Sequence, residues 1–161
     1  VVERMAHWLA AIGMFSDHPW LGVGIGNYPV AYPQYAIGRW RDALGHAHNY
    51  YLNIAAEAGI IGLSAYLFLF GACLFQAWRV IQNLSAIGVA PVDQADAGAG
   101  LPKRSYWRAV ALGVFGVLVH LCTHNLFDNL FVHSMNVQLG LCLGLLVVAE
   151  KSVGDQHAYR H

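Results

Sequence analysis

Three apolar stretches constrain this 161-residue chain more than anything else in it. They run over residues 60–78, 109–126 and 130–149, and only Asp128, at the turn between the last two, brings a charge among them. Crossing the hydrocarbon core of a bilayer takes about 20 residues of helix, which each stretch approaches or meets. Composition agrees: 57% of residues are hydrophobic and 11% charged, against roughly a quarter charged in an ordinary soluble domain. Gly59 and Gly62, Gly113 and Gly116, and Gly140 and Gly144 give small faces of the kind that close-packed membrane helices use. The expected fold is an all-α polytopic membrane protein. Residues 1–49 form an outer segment of short helices and loops, 50–79, 109–127 and 128–150 are transmembrane helices, 80–108 is a loop and 151–161 a tail.

Basic residues set the orientation. Arg79, Lys103, Arg104 and Arg108 lie between the first two spans and Lys151 and Arg160 follow the third, whereas residues 127–133 contain no Lys or Arg. Positive-inside logic places the long loop and the tail in the cytoplasm, and residues 1–49 with the 127–133 turn on the outer face. Residues 86–101, rich in Ala, Gly, Pro and Asp, read as a mobile linker. Arg39 and Arg41 lie on the outer side against the usual bias, which makes them candidates for work on an anion. The net charge of zero offers no field to nucleic acid. Cys73, Cys122 and Cys142 fall inside apolar runs, without a Cys-x-x-Cys pair, and read as small hydrophobes in helix packing. The chain opens Val1-Val2-Glu3, without methionine or the basic-then-apolar order of a signal peptide, so a piece of a longer protein is expected.

The outer segment holds the polar chemistry. Residues 1–15 can form a helix with Arg4, His7 and Ala11 on one stripe, ended by Ser16-Asp17-His18-Pro19. The following Gly22-Val23-Gly24-Ile25-Gly26-Asn27 does not match G-x-G-x-x-G and no strand precedes it. It reads as a tight turn, or as a nest of amides open to an anion. Next comes Gly45-His46-Ala47-His48-Asn49, where two histidines two apart cannot share one helical face. Asn49, Asn53 and Glu57 then recur at i, i+4 and i+8 and carry a polar stripe into the first span, where polar groups usually face a site or a partner helix. His120, His124 and Asp128 repeat that spacing in the second span. His-x-x-x-His is a metal-ligand spacing, but the glutamate of the zincin motif is replaced by Leu121, so a polar seam that orients the outer site is the preferred reading.

Taken together, Arg4 with Trp8, the run Asp17 to Tyr28, and His46-Ala47-His48-Asn49-Tyr50-Tyr51-Leu52 followed by Ala56-Glu57-Ala58-Gly59-Ile60-Ile61-Gly62 resemble the O-antigen ligase/polymerase superfamily. The resemblance covers residues 1 to about 70; the later spans agree in topology more than in motif. It implies a C-type, metal-independent glycosyltransferase of the bacterial inner membrane, working at the periplasmic face without a cofactor. Such enzymes move a glycan from undecaprenyl pyrophosphate to a hydroxyl on lipid A core, another glycan or a protein. Carried over, Arg4 matches an arginine thought to hold the pyrophosphate and His48 the histidine thought to act as base. Arg39 and Arg41 match a loop arginine only loosely.

The chemistry is coherent on its own terms. Displacing pyrophosphate from an anomeric carbon calls for a cation at the leaving group, which arginine supplies bidentately at any pH. Attack by a sugar hydroxyl gains from a base that titrates near neutrality, which is histidine. His46 could tune or replace His48, and Asp128 could orient either if its turn folds over the site. Two other readings stand beside this one: a bicarbonate- or proton-linked transporter or channel using Glu57, His120, His124 and Asp128, and a membrane metalloenzyme using His46, His48 and the second-span histidines.

Overall fold

A computed structural model describes residues 2–86, 103–129 and 135–158. These residues form helices α1 (Val2–Asp17), α2 (Tyr28–Tyr35), α3 (Tyr50–Ala86), α4 (Lys103–His124) and α5 (Met135–Ala158), with no strand among them. The linker expected over 86–101 lies almost wholly outside the described residues, as does much of the 127–133 turn. The chain divides into two compact units, one of Val1–Phe70 with Leu121–Val132 and the other of Gly71–His120 with His133–His161.

The first unit is built on α1. Ala6, His7, Ala10, Ala11 and Met14 are its buried residues, at the spacing of one helical face. Ala10, Ala11 and Met14 join Tyr28, Tyr32, Ala47 and Ala56 in one core cluster, where small alanines leave room for two large rings. Burying a large side chain of this kind stabilises by about 1.5–3 kcal/mol. Helix α2 is one of the short helices expected in residues 1–49, although Pro33 lies inside it and prolines interrupt helical bonding. It forms because Pro29 sits in its first turn, where the missing N–H costs nothing. Its two core tyrosines also anchor: the Tyr28 hydroxyl donates to the His7 carbonyl at 3.1 Å and the Tyr32 hydroxyl to the Trp40 carbonyl at 2.9 Å.

Helix α3 is broken. Gly59 departs from helical geometry, with φ +64° and ψ −163°, and residues 19–24 fill the break. The Val23 and Gly24 amides donate to the Ala56 and Glu57 carbonyls at 2.9 Å, and the Ile60 amide donates to the Pro19 carbonyl at 2.8 Å. Those are the carbonyls and amides that a helix interruption leaves unpaired. A Cβ at Gly22 would overlap the Ala56–Glu57 backbone, and one at Gly59 would overlap the Trp20–Leu21 backbone. The glycine-rich run is therefore a turn locked into α3, which decides between the two readings of its sequence.

The second unit holds the rest of α3, most of α4, and α5. Its described polar side chains include a knot at Glu150, which accepts from Gln76 Nε2 at 2.6 Å and Arg79 at 2.7 Å. Two helical segments, Tyr50–Ser85 and Ser105–His124, are long and apolar enough to cross a membrane. Only 11% and 22% of their most apolar stretches are buried, so neither resembles the enclosed helix of a water-soluble core. The third expected span is not among them. Residues 130–134 fall outside the described residues, and α5 opens Met135-Asn136-Val137-Gln138 and reaches Glu150 and Lys151 early, which leaves a short apolar run.

Candidate active site

The chain between α2 and α3 turns sharply. Leu44, Gly45 and His48 adopt φ of +47°, +84° and +52°, and the left-handed region costs a residue with a side chain about 1–2 kcal/mol. What holds His48 there is a set of side chains. The His48 amide donates to His46 Nδ1 at 3.2 Å, and Trp8 Nε1 donates to the His48 carbonyl at 3.2 Å. On either side, the Ala47 amide donates to Asn53 Oδ1 at 3.1 Å and the Leu52 amide to Asn49 Oδ1 at 3.0 Å, so that Asn49 caps α3. Asn49 Nδ2 donates to the Leu126 carbonyl at 2.9 Å, and the Tyr50 amide to the Asn125 carbonyl at 2.8 Å. These two bonds bring the turn after α4 over the start of α3.

That turn delivers Asp128. Helix α4 ends at His124, and the Phe127 and Asp128 amides bond back to the His124 carbonyl at 2.8 and 3.1 Å. Asp128 keeps the i to i+4 relation to His124 just beyond the end of the helix. Its carboxylate faces His48 Nδ1 at 3.4 Å through Oδ1 and Arg4 at 3.7 Å through Oδ2. Burial pushes the carboxyl up, but the Asn129 amide, His48 and Arg4 together hold it below its ordinary value. An ionised Asp128 accepts a hydrogen bond from Nδ1–H, which leaves the lone pair of His48 on Nε2. That is the arrangement in which a carboxylate sets the tautomer of a base.

The other sequence candidates separate. His46 packs edge-on against His48, with ring centroids 4.5 Å apart. Burial, then the neighbouring His48, lowers its pKa, and the bond from the His48 amide to its Nδ1 requires the neutral ring. Arg39 and Arg41 are exposed, and Arg39 lies over the Trp40 ring at 4.7 Å. No hydrogen bond or ion pair brings either to Arg4, His48 or Asp128 among the described residues. Glu57 spends its carboxylate on the Tyr28 amide at 3.1 Å. With Asn49 and Asn53 it makes the polar stripe of α3 a set of backbone anchors.

Two residues that the sequence reading noted beside Arg4 without giving them a role also contribute. His7 is fully buried, stacks on Tyr32 at 4.7 Å and meets His48 edge-on at 5.6 Å. Burial, then His48, lowers its pKa, so a neutral ring stands beside the base. Trp8 supplies the bond to the His48 carbonyl. Both lie one turn beyond Arg4, a spacing that could have signalled them. Beside the cluster is a groove of about 690 Å³ lined by Arg4, Met5, Trp8, Leu9, Ile12 and Phe127, with Arg4 its one charged residue.

Donor atoms of His46, His48 and Asp128 lie within 4.8 Å of one another, a set of ligand types that could hold a cation. His46 Nδ1, His48 Nδ1 and Asp128 Oδ1 already serve in hydrogen bonds, and Arg4 brings a positive charge to Asp128. The second-span histidines of the metalloenzyme reading do not join this group among the described residues.

No curated protein matches the chain. Residues 1–67 match the family model described as O-Antigen ligase, a segment that includes Arg4, the Gly59 break and the His46–Asn49 turn. The match lends no support to a transporter and implies a glycosyltransferase-like enzyme in general terms. Over residues 1–67, the chain is similar to the O-Antigen ligase family.

Proposed function

We propose that this chain carries the acceptor-activating face of a membrane glycosyltransferase. It moves a glycan from undecaprenyl pyrophosphate to an acceptor hydroxyl on a glycan, lipid or protein, as an O-antigen ligase or a related polymerase does. The observation that carries the reading is the line Arg4–Asp128–His48, assembled from three separate parts of the sequence. His48 Nε2 takes the proton of the acceptor hydroxyl as its oxygen bonds to the anomeric carbon. The bond from that carbon to the pyrophosphate oxygen breaks, and the leaving group departs with the electron pair. General-base assistance of this kind contributes about 10²–10⁴-fold.

Arg4 meets the leaving group. Its side chain is 51% exposed, and among the described residues its ion pair is with Asp128, which draws on one of its five N–H donors. The remaining donors suit the oxygens of a diphosphate. The adjoining groove, apolar apart from Arg4, suits the isoprenoid carrier of the same donor. On the basic-residue bias this face is periplasmic, at the inner membrane. Binding needs no cofactor and no metal.

The test is transfer in membranes holding the full-length chain, supplied with a polyprenyl-pyrophosphate-linked glycan and an acceptor. His48→Ala lowers transfer by roughly 10³-fold or more at unchanged protein abundance. Transfer that survives His48→Ala within a few-fold of the parent removes His48 as the base.

A further inference from the structure

We infer that His46 is a positioning residue for His48: its Nδ1 clasps the His48 backbone amide and so holds the base in its left-handed turn, and His46 itself takes no proton in the transfer. The inference rests on the transferase reading for its kinetic readout, while the clasp is a property of the turn alone.

Three observations converge. His48 has φ +52°, a conformation that a side-chain-bearing residue adopts only when its surroundings hold it. Its N–H points to His46 Nδ1 at 3.2 Å and its C=O receives Trp8 Nε1 at 3.2 Å, so both of its backbone polar groups are held by side chains. His46 is half-buried, with its ring edge-on to His48 at 4.5 Å, so the same residue fixes the backbone and walls the imidazole. Nδ1 accepts a bond only when it carries no proton, so the clasp needs the neutral ring with its proton on Nε2. Burial and the adjacent His48 favour that form.

The geometry has a close chemical analogue. Nδ1 stands one bond beyond Cγ, the position occupied by Oδ1 in asparagine. A bond from residue i+2 N–H to that atom is the Asx turn, here made by an imidazole. Without it, the His48 backbone is free to return to negative φ, and its ring moves away from Asp128.

This analogy separates the clasp from the alternatives. Asparagine reproduces the acceptor at Nδ1, whereas glutamine places its amide where Nε2 stood. In the full-length chain in membranes, His46→Ala lowers glycan transfer by roughly 10²-fold, the scale of an ångström-sized misplacement. His46→Asn recovers most of that loss and keeps the parent's pH–rate profile, while His46→Gln stays near the alanine level. Recovery by glutamine and not by asparagine overturns the clasp, because Nε2 is then the working atom, as a second base, a substrate contact or a metal ligand would require.

A second measurement does not depend on turnover. Amide exchange at His48 is slow in the parent and in H46N, and fast in H46A and H46Q. If exchange follows this pattern in a protein that transfers no glycan, the clasp stands and the transferase reading falls. If transfer occurs but the His48 amide exchanges equally in all four proteins, the clasp falls and the transferase reading stands.

Discussion

Two carboxylates in this chain, Asp128 in the first unit and Glu150 in the second, each face two partner side chains, and they face them differently; Asp128 also accepts from the Asn129 amide at 2.9 Å. Glu150 accepts from Gln76 and Arg79 at 2.6 and 2.7 Å, one bond to each oxygen. Asp128 stands 3.4 Å from His48 and 3.7 Å from Arg4, both at the long end of contact. Short, complete pairing is what a structural tie between helices looks like. Long contacts among a base, a carboxylate and a half-exposed cation leave each group able to reach a substrate, and catalytic bonds are often loose until substrate tightens them.

The largest effect that would break this contrast comes from removing the two charges in turn. Asp128→Asn lowers glycan transfer by about 10²–10⁴-fold, because the amide can donate to His48 Nδ1 and move the imidazole proton onto Nε2, the wrong tautomer for a base. Glycan transfer by membranes holding the full-length chain reads this directly. Equal losses from Asp128→Asn and Glu150→Gln would remove the distinction.

Acidity acts next, on the stability of the first unit. His7 and His46 both have folded pKa values below the ordinary 6.5, so the unfolded chain takes up protons first as pH falls. Stability they favour at neutral pH is lost as pH drops from about 6.5 towards their lowered values, and no further below them. Asp128 behaves as a depressed carboxylate, and its contribution is lost only as pH falls below the ordinary 3.8 towards its folded value. Amide protection in α1 and at the start of α3, taken relative to the intrinsic exchange rate at each pH, should therefore fall between pH 7 and 5. A flat profile would mean that the histidines are not held neutral.

Chelation tests the cation reading of the same cluster. Treatment with a chelator leaves transfer unchanged, and purified chain carries no stoichiometric zinc. Inactivation restored by added metal would transfer His46, His48 and Asp128 to a metal site. The smallest effect belongs to Glu150→Gln, which shifts stability by under about 1 kcal/mol, since half-exposed ion pairs contribute little. Thermal unfolding in detergent measures it.

Part of this was legible along the chain. Local periodicity marks α1, the long apolar helix after Tyr50 and the one before His124, because helical spacing is a property of neighbours three and four apart. The basic Arg4, the His46–Asn49 turn and Asp128 stood out by type and setting. The position of helix α2 did not, because Pro33 argues against it locally and only the burial of Tyr28 and Tyr32 outweighs that.

By itself, then, the sequence determined the helical class, the apolar spans and the residue types available for acid–base and anion chemistry, since each follows from composition and short-range spacing. Only the tertiary structure decided which of those residues meet. Arg4, His48 and Asp128 are separated by long stretches of chain, and their meeting depends on Asn49 and Tyr50 bonding to the Leu126 and Asn125 carbonyls. The destinations of Gly22 and Gly59 were hidden for the same reason. Each glycine is required by a backbone that approaches from elsewhere in the chain, and no local pattern records that approach.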